Sequence, residues 1–339
     1  MNGAKRLVCF EPSPEFHLRL EDAPHPVPKA GEVVVRVRAS SVNPIDCGRA
    51  AGYGRRLLAL KGASRFPLVL GNDLAGHIEA VGPNVERWRV GDAVFGLTPT
   101  GPVGAHASHV VVSETLLRRQ IDGVSAAEHA AFPYSFTTVW IALDAVGLLA
   151  SATGANVLIH GAGGGLGRLA TQMLSRRGAR VTAVCSTRDV DACRTLGATT
   201  VCDRKKTSPR ELPQDFDVAL NFGAFVDEEM LIDRLRQGAR GHASAVHSLL
   251  ANFDSAGWIG GAWRSWRDFS RLRALAGRKG ALYRWILFSP RTDALDALVA
   301  LLEARALSLP VGIAAPASEA VTAFEHVARR RDGRAILLF

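Results

Sequence analysis

At 339 residues, with 47% hydrophobic and 7% aromatic side chains, the chain is long enough for about two domains with sizeable cores, and its composition excludes disorder and fibrous repeats. Forty-one basic against 32 acidic residues give a formal charge of +9. The basic residues are scattered, with small clusters only at Arg204-Lys205-Lys206 and Arg329-Arg330-Arg331, and no aromatic platform accompanies them, which argues against a nucleic-acid partner. Five cysteines, Cys9, Cys47, Cys185, Cys193 and Cys202, form neither a CxxC pair nor a dense framework, as in a reducing compartment. The apolar run after Lys5-Arg6 is too short for a signal peptide, and no uncharged apolar stretch approaches the roughly 18 residues that span a bilayer. A cytoplasmic protein without stable membrane insertion is the expectation.

The first 120 residues read as β-rich. Glu32–Ser41 (EVVVRVRASS) alternates valine with charged or small residues, the pattern of a half-buried strand. Leu74–Val81 and Ala93–Leu97 are short apolar runs marked off by Gly82-Pro83 and Val90-Gly91-Asp92, and His109–Ser113 is a further strand. Strands this short and close predict a partly open barrel rather than a parallel sheet. Ser125-Ala126-Ala127-Glu128 has the form of a capping box opening a helix that runs to Phe132, and Thr137–Val146 reads as another.

From Gly154 the rhythm becomes strand, glycine loop, helix, strand. Asn156–His160 (NVLIH) has the continuous apolar character of a central parallel strand. Leu169–Arg177 follows as a helix ending at Gly178, Arg180–Cys185 as a strand, and Asp191–Leu196 as a short helix. Val201 and Asp217–Leu220 mark further strands, and Glu228–Gln237 a helix stopped by Gly238. This alternation predicts a doubly wound α/β Rossmann domain. Ser255–Phe288 carries four tryptophans, Trp258, Trp263, Trp266 and Trp285. Their rings either fill a groove between domains or wall a substrate pocket or a subunit contact. Asp293–Glu303 and Ala320–Ala328 are amphipathic helices. Arg334–Phe339 (RAILLF) closes the chain as a strand expected to return to the N-terminal domain.

The segment between NVLIH and its helix carries the clearest chemistry. Ala162, Gly163, Gly164, Gly165, Leu166 and Gly167 read as an AxGxxG loop, which permits a tight turn, backbone approach to a pyrophosphate and close packing of helix on strand. The helix N-terminus adds N–H groups and partial positive charge. A binder of the unphosphorylated dinucleotide would place an acid at the end of the second strand. Here Ser186, Thr187 and Arg188 stand there, with Asp189 further on. The two hydroxyls can donate hydrogen bonds and the guanidinium can meet a 2′-phosphate, so NADPH is favoured over NADH. The alternative for Arg188 is a solvated side chain at a helix start.

Several motifs in order resemble the zinc-independent medium-chain dehydrogenase/reductase family of quinone oxidoreductase type, and within it the reticulon-4-interacting-protein branch. They are Ser41-Val42-Asn43-Pro44-Ile45-Asp46, Arg49 with Gly52-Tyr53-Gly54, Phe66–Gly76 (FPLVLGNDLAG), Gly91-Asp92-Ala93-Val94, the glycine loop, Val181–Ser186, Leu196-Gly197-Ala198, Tyr283-Arg284-Trp285 and Gly333–Phe339. The resemblance implies a Rossmann cofactor domain (residues 125–288, with the tryptophan-rich connector). It also implies a mainly β, GroES-like catalytic domain formed by both chain ends (1–124 and 289–339). Zinc-bearing relatives place metal ligands where this chain has Asn43, Gly71-Asn72-Asp73 and a position near Tyr134. Asparagine amides are poor zinc ligands, Cys47 and His77 have no partner at metal spacing, and no metal is expected. The resemblance places the catalytic candidates Asn43 by the carboxamide or the substrate carbonyl, and Tyr53 at the acceptor oxygen, as its proton donor, or as a wall of the pocket. Thr138, Asn221, Phe222 and Arg334 fall beside the cofactor. The function implied is NADPH-dependent reduction of a quinone or another conjugated carbonyl by a homodimer. An enoyl-thioester reductase and an NADPH-binding accessory protein with little turnover are the alternatives.

Overall fold

Residues 3–339 are described by a computed structural model; Met1 and Asn2, part of the segment considered above for a signal peptide, lie outside the described residues. In chain order the strands are β1 (Ala4–Cys9), β2 (Leu18–Ala23), β3 (Glu32–Val42), β4 (Leu68–Val69), β5 (Asp73–Val81), β6 (Ala93–Leu97), β7 (His109–Ser113) and β8 (Leu117–Arg119). They continue as β9 (Asn156–His160), β10 (Arg180–Cys185), β11 (Thr200–Asp203), β12 (Val218–Asn221), β13 (Gly241–Ser244), β14 (Leu282–Trp285), β15 (Val311–Pro316) and β16 (Arg334–Leu338). The chain divides into two units. The first is Met1–Tyr134 with Ser289–Arg305 and Leu309–Phe339; the second is Ser135–Phe288 with Ala306–Ser308.

In the first unit β3 organises the larger sheet. Val33, Val35 and Val37 are buried while Arg36 and Arg38 are exposed, so the alternation read in the sequence becomes one apolar and one polar face. The buried face packs with Leu74, Ile78, Val94 and Val110, each burial contributing about 1.5–3 kcal/mol. The sheet runs β15-β16-β3-β5-β6-β8, with β7 also paired to β3, and β2-β1-β4 form a second sheet. The closing strand does return to the N-terminal strands: β16 pairs antiparallel with β3, from Ala335 opposite Val42 to Leu338 opposite Ala39.

The second unit is a six-stranded parallel sheet ordered β11-β10-β9-β12-β13-β14, the 3-2-1-4-5-6 order of doubly wound nucleotide-binding folds. β9 is the central strand, buried over Val157–His160. The next helix, Gly165–Arg176, starts four residues before the predicted Leu169. Gly164 takes the N-cap in an extended conformation, and the last part of the glycine loop is already helical.

Three expectations are corrected. The helix from Glu228 ends at Asp233 rather than Gln237, because the backbone N–H of Arg236 donates to Phe216 O at 3.0 Å and Leu235 bridges Phe216. Strand β13, with sequence GHAS, is buried throughout, and small residues covered on both faces leave no apolar signal to read. The tryptophans do not fill a groove: Trp258, Trp263 and Trp266 lie on the Leu249–Arg278 helix and are 49%, 56% and 66% exposed. The segment leaves helical geometry at Gly257, and beyond it Gly261, Ser265, Asp268, Leu272 and Ala276 are buried on a face that Trp263 and Trp266 do not share. Only Trp285, on β14, is half-buried. Among the described residues no helix is long and apolar enough to cross a membrane.

Candidate active site

In the second unit the glycine loop, Ser186–Arg188 and Asn221–Phe222 gather at the carboxyl end of the parallel sheet. The chain leaves β9 for β10 and β11, then crosses back to β12 on the other side of β9, so the strand order reverses between β9 and β12. Ligands of open α/β sheets bind at such a switch point. There Gly161 and Ala162 donate their N–H groups to Val184 O, tying the loop to β10. A Cβ on Gly167 would lie 2.4 Å from Gly161 O and 2.5 Å from Ala162 Cα, so this glycine is what lets helix and strand approach. A Cβ on Gly164 would meet nothing closer than Gly161 O at 3.5 Å, and no side chain caps the helix that Gly164 begins. Gly165, Leu166 and Gly167 therefore open a twelve-residue helix whose first-turn N–H groups have no side-chain cap. This arrangement fits a dinucleotide pyrophosphate.

At the end of β10 the hydroxyls are already committed. Ser186 donates to Asp189 Oδ2 at 2.6 Å, and Thr187 donates to Asp203 Oδ1 at 3.1 Å. Arg188 keeps a side chain 60% exposed, with Nε 3.5 Å from Asp189 Oδ2. Asp189 is turned inward at 7% exposure, and Arg168 holds it through Nη2 at 3.3 Å while donating from Nε to Gly163 O at 2.8 Å. A Cβ on Gly163 would run into the Asp189 carboxyl at 2.5 Å, so this glycine makes room for the acid. The sequence reading missed the Arg168–Asp189 pair. The signal available was an acid three residues after Ser186.

Asn221, at the end of β12, is fully buried and ties neighbouring strands together. Its carbonyl oxygen accepts the Gly223 N–H at 3.0 Å and lies 3.2 Å from His160 Nδ1. Its amide donates to Ala224 O at 2.8 Å and to Glu228 Oε1 at 2.6 Å. Phe222, half-buried, donates its N–H to His160 O at 2.9 Å. Glu228 is 1% exposed and also receives the Tyr283 hydroxyl at 2.6 Å and His242 Nε2 at 3.0 Å. Burial would raise its pKa, but His242, Tyr283 and Asn221 together outweigh that and hold it down at about 2. Trp285 Nε1 donates to the Tyr283 hydroxyl at 2.8 Å, extending the network to β14. His242 is fully buried and stacked on Tyr283. Glu228 is a residue that spacing did not reveal, since its partners come from three separate strands. Thr138 lies 6% exposed in the Pro133–Ala145 helix.

The first unit carries a second buried polar cluster at the end of β3. Asn43 is 1% exposed; its amide donates to Asp73 Oδ2 at 2.8 Å and Ser41 Oγ at 3.1 Å. Its carbonyl accepts from Arg334 Nη2 at 2.7 Å, and the same guanidinium donates to Ser41 Oγ at 3.2 Å. The backbone N–H of Asn43 donates to Asp46 Oδ2 at 2.8 Å, half of the capping box that starts the Pro44–Ala50 helix. Asp73 is fully buried, and burial raises its carboxyl to about 6 despite Arg334, Ser41, Asn43 and the Tyr134 N–H. Both N–H groups of the Asn43 amide are thus engaged within the unit, and Arg334 faces Asn43, Ser41 and Asp73. Asn43 and Arg334 are joined in one buried hydrogen-bonded cluster with Ser41 and Asp73. Two buried atoms of this region, Arg334 Nε and Asn72 Oδ1, have no hydrogen-bond partner. Tyr53 is 36% exposed, and its ring packs against Gly48 so closely that a Cβ there would lie 3.3 Å from it. Cys47 is buried with its thiol pushed up to about 12, which leaves it unreactive.

The model of the alcohol dehydrogenase GroES-like domain matches residues 29–123. The mitochondrial NAD(P)H oxidoreductase RTN4IP1 of Homo sapiens is 32% identical over 313 residues, covering 88% of this chain and 79% of the human protein. Among solved structures, the quinone oxidoreductase of Coxiella burnetii superposes with a TM-score of 0.83 at 23% identity, covering 99% of both chains. The CurK enoyl reductase gives 0.81 at 21% identity, again over 99% of both chains. The human relative is named as mitochondrial, which overturns the cytoplasmic expectation. Scattered thiols suit any reducing compartment and do not choose among them. With 88% of the chain matched at 32% identity, the protein belongs to the medium-chain dehydrogenase/reductase superfamily, in the quinone-oxidoreductase-like group that includes the reticulon-4-interacting proteins.

Proposed function

We propose that this protein is an NADPH-dependent reductase of a quinone or another conjugated carbonyl, acting without a catalytic metal. One observation carries the reading: an uncapped helix N-terminus, with room beside Gly164, stands at the switch point of a parallel sheet. NADPH, when bound, supplies the hydride. Gly165, Leu166 and Gly167 would hold its pyrophosphate with backbone N–H groups, Gly164 leaves room beside them, and Ala162 and Gly163 shape the turn beneath. Arg188 meets the 2′-phosphate with a charged fork. Asp189, which would repel that phosphate, is drawn inward by Arg168 and Ser186. Ser186 and Thr187 line the same loop, their hydroxyl protons directed at Asp189 and Asp203.

Asn221 and Phe222 form the floor on which the nicotinamide half rests, and Thr138 contacts it. Tyr53 touches the acceptor oxygen. Asn43 and Arg334 act as positioning residues, holding the end of β3 and the start of the Pro44–Ala50 helix. A homodimer formed through an edge strand of the parallel sheet completes the proposal.

The test is turnover of a quinone panel and of a crotonyl thioester, each with NADPH and NADH. Saturable quinone or enone reduction with NADPH preferred supports the reading. Saturable thioester reduction replaces it with an enoyl reductase, and NADPH binding without turnover of any acceptor replaces it with an accessory protein. Tyr53→Phe should raise KM for the acceptor while leaving NADPH affinity unchanged.

A further inference from the structure

We infer that His25, Glu79 and His109, on the outer face of the first unit, form a binding site for one zinc-type divalent transition-metal ion. The residues come from the segment after β2, from β5 and from β7. His109 Nε2 lies 3.0 Å from Glu79 Oε2, His25 Nδ1 lies 3.7 Å from Glu79 Oε1, and the three ligand atoms all fall within 4.8 Å of one another. A tetrahedral zinc ion with ligands at about 2.0–2.1 Å sets them roughly 3.3 Å apart, so small side-chain rotations close the triangle. Two imidazoles and a carboxylate are a zinc-competent set that leaves a coordination position for water.

The backbone prepares each ligand. Val34 pairs with Ala80 while Val35 pairs with Ile78, which leaves Glu79 as the extra residue of a β-bulge. Bulges re-aim a side chain, and this one turns a carboxylate towards His109. His25 stands between Pro24 and Pro26, whose fixed φ angles reduce the entropy lost when the ring is held. His109 has a side chain only 7% exposed, and its Nδ1 lies 2.8 Å from Ser108 Oγ. That hydroxyl already accepts the Lys5 N–H at 2.8 Å. When it also accepts the Nδ1 proton, Nε2 presents a lone pair towards the Glu79 oxygen 3.0 Å away. In that tautomer Nε2 and the Glu79 carboxylate together offer lone pairs to one metal ion. Arg36, in register with His109, is exposed and carries its charge into solvent. The His25 side chain is 51% exposed, giving the ion a route in. Once bound, the ion ties the β2–β3 connection to β5 and β7.

The experiment is calorimetric titration of the full chain with zinc chloride, alongside Co2+ absorption and thermal melts with and without metal. One equivalent should bind, with tetrahedral Co2+ bands and a higher Tm. His25→Ala, which removes an exposed side chain and no core, and Glu79→Gln should each abolish the bands and the Tm rise. Ser108→Ala should weaken binding by about 10–100-fold. Absence of saturable uptake by the wild-type chain, or uptake unchanged in His25→Ala and Glu79→Gln, overturns the assignment. None of these readouts depends on reductase activity.

Discussion

Replacing Glu228 by glutamine tests the network that supports the Asn221–Gly223 segment. The carboxylate is 1% exposed and accepts hydrogen bonds from Asn221, Tyr283 and His242. Its pKa falls from an ordinary 4.5 to about 2, a difference worth about 3 kcal/mol. The folded chain holds this proton less tightly than the unfolded chain. The stabilisation is therefore complete above pH about 5.5 and fades as the pH drops towards 2. Between pH 5 and pH 3 the wild type should lose about 2 kcal/mol through this one group. Glu228→Gln has no such proton to bind and leaves an amide N–H facing a donor, so at pH 7 it should be less stable by about 3 kcal/mol. Urea unfolding of both proteins at pH 7, 5 and 3 measures the difference, which should shrink by about 2 kcal/mol on the acid side. A gap that stays constant or widens from pH 5 to pH 3 would refute the charged, hydrogen-bonded state assigned to Glu228. At pH 7 the variant should also bind NADPH more weakly, because Asn221 loses a partner that fixes its amide.

Three further perturbations separate fold from site. Gly164→Ala should melt with the wild type yet bind NADPH at least about 10-fold more weakly, whereas Gly167→Ala should lose stability because its Cβ meets backbone at 2.4 Å; thermal melts with NADPH titration distinguish them. Ser186→Asp combined with Arg188→Glu should shift the kcat/KM preference from NADPH towards NADH, and an unchanged ratio would remove Arg188 from phosphate recognition. Leu272→Ala, at a fully buried position, should cost about 2–5 kcal/mol, while Trp266→Ser, 66% exposed, should change stability by no more than about 0.5 kcal/mol in chemical denaturation.

The parallel sheet was legible where its strands are apolar and β-branched, as in NVLIH and VTAVC, and where glycine marks the turns. It was not legible at β13, whose Gly-His-Ala-Ser sequence is buried on both faces for want of bulk rather than by apolar character. The glycine loop could be read because its constraint is local, four residues deciding whether a helix can meet a strand. The clusters around Glu228 and Asp73 could not, because their members lie on separate strands and helices and become neighbours only through folding. The tryptophans failed for another reason. Composition identifies large rings, but the helical face they occupy is set by what the other face buries. Here Gly261, Ser265, Leu272 and Ala276 pack inward and leave Trp263 and Trp266 in solvent.

The cluster at the end of β3 explains in charge terms how this chain departs from its zinc-bearing relatives. A ligand to a cation must present a lone pair, yet both N–H groups of the Asn43 amide are donors here and its carbonyl faces the Arg334 guanidinium at 2.7 Å. A divalent ion placed there would lie against a fixed positive charge buried with it. Asp73 supplies the counter-charge: burial lowers the readiness of Arg334 to hold its proton, and Asp73 and Asp46 offset part of that. The positive centre of this pocket is thus built into the closing strand of the chain, on Arg334 of β16, which pairs with β3 where Asn43 follows. Removing either charge strands the other in a low-dielectric site, typically at about 3–5 kcal/mol, so the two positions must change together.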